Sequence, residues 1–369
     1  MRSTNIFAFT LVVPFVAATS YDIVKAYAGT TFFDDWTFYN HYDNLTNGDT
    51  IFVSAADAAA DQLAYVDSTT NHAIIKVDNT STVPYNQKRN TVRIFSNDRY
   101  GVGSVWVADM YHLPYGCSVW PACEIDTLEG VNLQTINQMG LHTLPGCTIV
   151  GANDLSTSTQ TSTDCSYLAN DNQGCLVMDN NPASYGAGFA AAGGGVWVTE
   201  FASTGISIWF FPRANVPSSI SSNSSSIDTS TLGTPSGNWP STNCSMSQYF
   251  DAQNLILDIT LCGGKSPSPS YFAGNAAIFN ETCTGVCYTD YVMGNGSNYA
   301  TAYFEIASIR VYSSDGTNNI IPGSSSNGTA TSSGGGAAST GKSAAETING
   351  SIAALVASVV VGGVALLLA

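Results

Sequence analysis

The chain has 369 residues, 44% hydrophobic and only 10% charged, with 27 acidic against 11 basic side chains and a formal net charge of −16. That length allows one large all-β domain or two ordinary ones. The acidic balance argues against nucleic acid or anionic lipid as a partner, since neither attracts a negative surface at long range; a neutral polysaccharide meets no such objection.

Residues 1–20 begin with Arg2, run through the apolar stretch Ile6–Ala18 and place Ala18 and Ser20 at the −3 and −1 positions of a cleavage site. This is the pattern of a secretory signal peptide. Residues 21–313 read as one domain, because no composition break or internal repeat divides them. Within it, short β-rich runs alternate with Gly, Asn, Asp and Ser clusters: 72–77, 91–95, 104–110, 124–128, 196–201, 206–211, 255–261 and 303–312. No helical periodicity is sustained, and strands at this spacing predict an antiparallel sandwich or barrel. Ala202-Ser203-Thr204-Gly205 predicts a hairpin with a four-residue loop. Trp106, Trp197 and Trp209 lie in apolar runs and are expected in the core.

From Ser314 to Gly341 the composition turns to Ser, Gly, Thr and Ala, which predicts a flexible linker. Residues 342–369 end in the apolar run Ile352–Ala369 with no basic cluster behind it. Small residues at Ser339, Thr340 and Gly341, a polar spacer and an apolar tail predict a lipid (GPI) attachment signal that is removed; a transmembrane span is the alternative. The protein is therefore expected at the cell surface, held to the membrane through that anchor.

Secretion makes the nine cysteines readable as disulfides. Cys117, Cys147, Cys165, Cys175, Cys244, Cys262, Cys283 and Cys287 are expected to pair in an order the sequence leaves open, with Cys123 left over. Zinc at Cys283 and Cys287 is not expected, since no second ligand pair completes four-coordination. Asn-x-Ser/Thr sequons begin at Asn44, Asn79, Asn223, Asn243, Asn280, Asn295, Asn327 and Asn349, in keeping with a secretory route.

The most informative segment is 120–130, Trp-Pro-Ala-Cys-Glu-Ile-Asp-Thr-Leu-Glu-Gly, which sets Glu124, Asp126 and Glu129 within six positions. On a regular strand Glu124 and Asp126 share a face while Glu129 points to the other. One β-bulge would bring Glu129 round beside them. A solvated strand face would explain two alternate acids, but three like charges on one face cost energy unless a proton is used or shared among them. Two carboxylates in unlike environments are what glycoside hydrolysis requires.

Glu-Ile-Asp-Thr-Leu-Glu (124–129) resembles the E-[ILV]-D-x-x-E signature of glycoside hydrolase family 16 in its bulged, laminarinase-like form. Segments 42–49 (Tyr-Asp-Asn-Leu-Thr-Asn-Gly-Asp), 89–94 (Arg-Asn-Thr-Val-Arg-Ile), 114–121 (Pro-Tyr-Gly-Cys-Ser-Val-Trp-Pro), 130–135 (Gly-Val-Asn-Leu-Gln-Thr), 141–143 (Leu-His-Thr) and 193–197 (Gly-Gly-Gly-Val-Trp) are similar to fungal members. The resemblance implies an all-β jelly-roll sandwich of two antiparallel sheets and endo-acting, retaining hydrolysis of β-1,3- or mixed β-1,3/1,4-glucan, with transfer to another glycan as the rival outcome. It implies Glu124 as nucleophile, Glu129 as general acid/base and Asp126 as the group that orients Glu124. It also implies His142 on the neighbouring strand, with Trp120 and Arg93 lining the cleft to meet a sugar face and its hydroxyls. No cofactor or metal is expected, and a monomer is.

The match has two irregularities. Family members carry a further strand and turn between Trp-Pro-Ala and Glu-Ile-Asp, where here only Cys123 stands, and residues 264–271 are inserted after Leu-Cys-Gly. Loss of a strand end leaves ladder groups unpaired and slips the register of the strand that follows. The sequence as written is thus expected to fold poorly or to be a nearly inactive, glucan-binding form, and both irregularities point to misplaced exon boundaries, with loop variation as the alternative.

Overall fold

The fold is described from a computed structural model over residues 20–122, 125–150, 155–220, 224–263 and 273–323. Residues 1–19, Cys123 and Glu124, 151–154, 221–223, the segment 264–272 that contains the insertion, and everything from residue 324 onward lie outside the described residues, so the expected signal peptide apart from Ser20, the lipid anchor and the first catalytic acid do too.

Two β-layers enclose the main core. The first is an antiparallel sheet in the order Ser226–Asp228, Ser20–Ala28, Tyr303–Ser313, Ser104–His112, Gly195–Ala202, Gly205–Pro212, Gly237–Pro240, to which Ala73–Lys76 adds beside Tyr303–Ile306. The second layer comes in two parts. One has the order Val119–Ala122, Gln253–Leu261, Arg93–Tyr100, Trp36–Phe38, and the other Asp126–Glu129, Gln138–Leu141, Cys175–Met178, Thr159–Gln160. Among the described residues the strand pairings are antiparallel, as expected for a jelly roll, apart from the short parallel contact of Thr50–Phe52 with Arg89–Thr91, and an isolated parallel bridge joins Thr143 to Ser166.

Alternation along the strands explains where the core sits. Trp106, Ala108 and Met110 of one strand, with Trp197 and Ile208 of its neighbours, face Ile94, Leu257, Ile259, Met139 and Val177 of the second layer. The intervening positions Val105, Val107, Val196, Val198 and Trp209 face the other way and are covered by Ile220, Ile227 and Leu232. The three tryptophans expected in the core are all buried, though Trp209 belongs to this second cluster.

Two expectations need correction. The hairpin loop has two residues, Ser203 and Thr204, because pairing runs on to Ala202 opposite Gly205. Gly205 permits this with φ +144 and no side chain, where a Cβ would lie 2.4 Å from the Trp239 carbonyl oxygen. The domain also continues past residue 313. Ile320–Ile321 pairs with Tyr100 and Arg99, and Asn319 joins Ser313 Oγ and the Gly101 N–H, so residues 314–323 are a turn and a short edge strand rather than linker. The apolar Ile320, packed against the core, anchors them there.

The eight cysteines expected to pair do so, as Cys117–Cys283, Cys147–Cys244, Cys165–Cys175 and Cys262–Cys287. The first and last fasten the 283–287 segment to the residues that precede Val119–Ala122 and follow Gln253–Leu261. Among the sequons, Asn44, Asn243, Asn280 and Asn295 are exposed and Asn79 is half-buried.

A buried arginine pins the loops beside these strands. Arg89 has no exposed surface, donates to the carbonyls of Asp78, Ser81, Val292 and Gly294, and lies over the Tyr299 ring. The planar guanidinium forks to all four acceptors, which a lysine cannot do. Arg89→Lys should therefore cost on the order of 2–4 kcal/mol by leaving charged hydrogen bonds unmade. A lower guanidinium unfolding midpoint would show it, and an unchanged midpoint would refute it.

Candidate active site

The strand Asp126–Glu129 carries the site, and its register explains how. Asp126 pairs with Gly140 and Glu129 with Gln138, so three steps on one strand face two on the other. That extra residue is a β-bulge, and it puts an odd-numbered separation onto one face. Opposite it, Gln138, Gly140 and His142 alternate onto the same side, while Met139 and Leu141 enter the core. Ile125, just before the strand, takes φ +45, so the chain turns sharply as it enters.

Glu129 is 8% exposed and held at both oxygens. The Trp120 indole N–H donates to Oε1 at 3.0 Å and the Gln138 amide to Oε2 at 2.7 Å. Each oxygen keeps a lone pair for a third partner. Asp126 Oδ2 lies 3.3 Å from His142 Nε2, and His142 Nδ1 meets the Asn172 side-chain oxygen at 3.0 Å. Burial opposes charge on this imidazole, but the hydrogen bond to Asp126, the fields of Asp126 and Glu129 and the Asn172 contact prevail and raise its pKa to about 9. The ring is thus an imidazolium at neutral pH. Gly140 leaves the floor open beside Asp126: a Cβ there would stand 3.4 Å from Asp126 Oδ2 and 2.7 Å from Leu176.

The six residues singled out in the sequence divide as follows. Asp126, Glu129 and His142 come together. Trp120 joins them through its N–H, but its ring is 7% exposed and packs with Val131, Ala273 and Ile278, so it supports Glu129 instead of presenting a face to solvent. Arg93 is ion-paired with buried Asp258, whose second oxygen accepts the Ala122 N–H at 3.1 Å. Its guanidinium therefore fixes the end of the strand that leads toward Glu124, and it also lies over the Tyr39 ring. Glu124 itself lies outside the described residues. Gln138, Asn137 and Asp258 escaped the sequence reading. Counting back by twos from His142 would have found Gln138.

A carboxylate set on a bulged strand, against an imidazolium and inside a two-layer β-fold, defines a candidate glycosidase site. Residues 36–312 match the XgeA-like catalytic domain of glycoside hydrolase family 16, and the chain belongs to that family. It is 35% identical over 307 residues to a probable endo-1,3(4)-β-glucanase of Neosartorya fischeri, covering 79% of this chain but 46% of that one. The chain thus spans about half the length of that curated relative. The fold is similar to laminarinase 16A of Phanerochaete chrysosporium, solved with 6-O-glucosyl-laminaritriose in donor and acceptor sites, at TM-score 0.73 and 36% identity over 79% of this chain and 99% of that one. It is also similar to an elongating family 16 β-1,3-glucosyltransferase, at TM-score 0.71 and 34% identity over 79% and 100% of the two chains.

The His142–Asp126 pair has a pH signature. A pKa raised from about 6.5 to about 9 stabilises the fold fully below pH 6.5, and that contribution fades as pH rises toward 9. His142→Gln should therefore cost on the order of 2 kcal/mol at pH 6, allowing for the ring's partial exposure, and much less at pH 9.5. Urea unfolding of both proteins at the two pH values measures it; a penalty independent of pH would contradict the ion pair.

Proposed function

We propose that this protein is a retaining endo-β-1,3(4)-glucanase. The observation that carries the reading is the bulge that turns Glu129 to the Asp126–His142 side of the strand, together with membership of family 16. Glu124 attacks the anomeric carbon while Glu129 protonates the departing glycosidic oxygen. Glu129 then takes a proton from water, which releases the sugar with its configuration retained. Asp126, held by His142, sits between them and orients Glu124. Gln138 and Trp120 keep the Glu129 carboxyl in one place through both steps.

Two other outcomes have support. The similarity to an elongating glucosyltransferase favours transfer of the glycosyl group to a second glucan wherever an acceptor outcompetes water. The short connection from Ala122 to Glu124, where the resemblance implies a further strand and turn, favours an impaired, glucan-binding form. Among the described residues no hydrogen-bonded ladder joins Val119–Ala122 to Asp126–Glu129, and the second layer divides at that place.

Laminarin should be cut internally with the β-anomer appearing first by NMR, and initial α-anomer would exclude retention. Glu124→Gln and Glu129→Gln should each lower turnover at least 100-fold with folding intact, and Asp126→Asn less. Products longer than a defined donor would mark a transferase. Binding without cleavage in the parent protein would mark the impaired form.

We also propose that the enzyme is secreted and anchored through a lipid near Ser339–Gly341, with Ile352–Ala369 removed. The sequence pattern at the C-terminus supports this. Phosphatidylinositol-specific phospholipase should release it from membranes, and an intact C-terminal peptide in the mass spectrum would rule the anchor out.

A further inference from the structure

The bulge that aims Glu129 breaks the ladder that would hold it, and one side chain takes the ladder's place. The Glu129 N–H donates to Asn137 Oδ1 at 3.1 Å, and Asn137 Nδ2 donates to the Thr127 carbonyl at 2.8 Å. Those two backbone groups flank Leu128, inside the register shift between Asp126 and Glu129. Only one orientation of the amide satisfies both, since the flipped group would set donor against donor and carbonyl against carbonyl. Asn137 has no exposed surface. Its own N–H goes to Ser184 Oγ at 2.9 Å and its carbonyl accepts the Asp179 N–H at 2.9 Å, so it is fixed from the side away from the strand as well.

We propose that Asn137 is a positioning residue that locks the bulge and thereby sets the direction of Glu129. Asn137 and Gln138 hold Glu129 at different points, since Asn137 grips its backbone and Gln138 its carboxylate. Without the Asn137 amide, a buried N–H and a buried carbonyl lose their partner, and the strand gains by pairing without the extra residue. A one-residue change of register turns Glu129 to the opposite face. The loss therefore falls on the chemical step more than on sugar binding.

The inference rests on Glu129 being the general acid/base, and a double-mutant cycle separates the two claims. Asn137→Ala should lower kcat on laminarin about 100-fold with KM changed less than about threefold. Added to Glu129→Gln, it should cost less than about threefold more, because both remove one function. Losses that multiply would overturn the inference whatever Glu129 does. An aryl β-laminaribioside with a dinitrophenol leaving group needs no proton, so its kcat/KM should be spared in Glu129→Gln and equally in Asn137→Ala. If Glu129→Gln is not spared, the acid/base reading fails, and the cycle alone still decides the role of Asn137. Thr199→Val removes a buried hydroxyl contact to Thr127 on the same strand and serves as the structural control. An Asn137→Ala protein that resembles it, with stability reduced and kcat retained, would also overturn the inference. Should Asn137→Ala not fold, Asn137→Ser takes its place in the same cycle, since its hydroxyl can serve at most one of the two backbone groups.

Discussion

One residue too many on the strand Asp126–Glu129 is the constraint around which the site is organised. A regular strand would send Glu129 and Asp126 to opposite layers, with one carboxylate in water and the other in an apolar core, where an unpaired charge is very costly. The bulge avoids that but breaks the ladder, and the neighbouring residues answer the break. Asn137 supplies the lost backbone partners, Gln138 and Trp120 take the carboxylate oxygens, and the core side of the same strand closes with Leu128 and the Thr127–Thr199 hydroxyl pair. The local defect is thereby distributed over several elements, each of which is itself buried.

The charges show the same economy. The chain has few cations, and the site uses two of them to settle acids instead of leaving them free. Arg93 neutralises buried Asp258, and the protonated His142 neutralises Asp126. Asp258 in turn accepts the Ala122 N–H, so the electrostatics of one part of the second layer fixes the backbone at the point where the chain leaves for the other. Setting Asp126 and Glu129 close together in such a sequence is tolerable because the His142, Gln138 and Trp120 donors are arranged before any substrate arrives.

How much of this was legible depends on the range of the interactions. The strands were, because alternation is a local pattern, and so was the need for a bulge, because the five-residue spacing of Glu124 and Glu129 demands it. His142 entered through its resemblance to family members, while Gln138, two places before Gly140 on the same face, was overlooked because a glutamine carries no motif. Asn137 and Arg89 were out of reach. Their partners are backbone carbonyls and amides of distant segments, such as Val292 for Arg89, and backbone groups are identical in every sequence. For Trp120 and Arg93 the structure adds contacts that no sequence pattern specifies, an indole hydrogen bond to Glu129 and an ion pair with Asp258. Residues 314–323 share the Ser, Gly and Thr composition of the sequence that follows them, and the packing of Ile320 against the core is what composition does not reveal.

The disulfides carry a consequence for the order in which the molecule matures. Cys165 and Cys175 are 10 residues apart and can find each other as soon as both have left the ribosome, whereas Cys117 must wait for Cys283, 166 residues later. Cys262 likewise waits for Cys287. The two links beside the paired strands Val119–Ala122 and Gln253–Leu261 are thus the last to become possible during synthesis. The central strand Tyr303–Ser313 comes later still in the chain, so the sheet it joins between Ser20–Ala28 and Ser104–His112 can close only after both of those links have become possible.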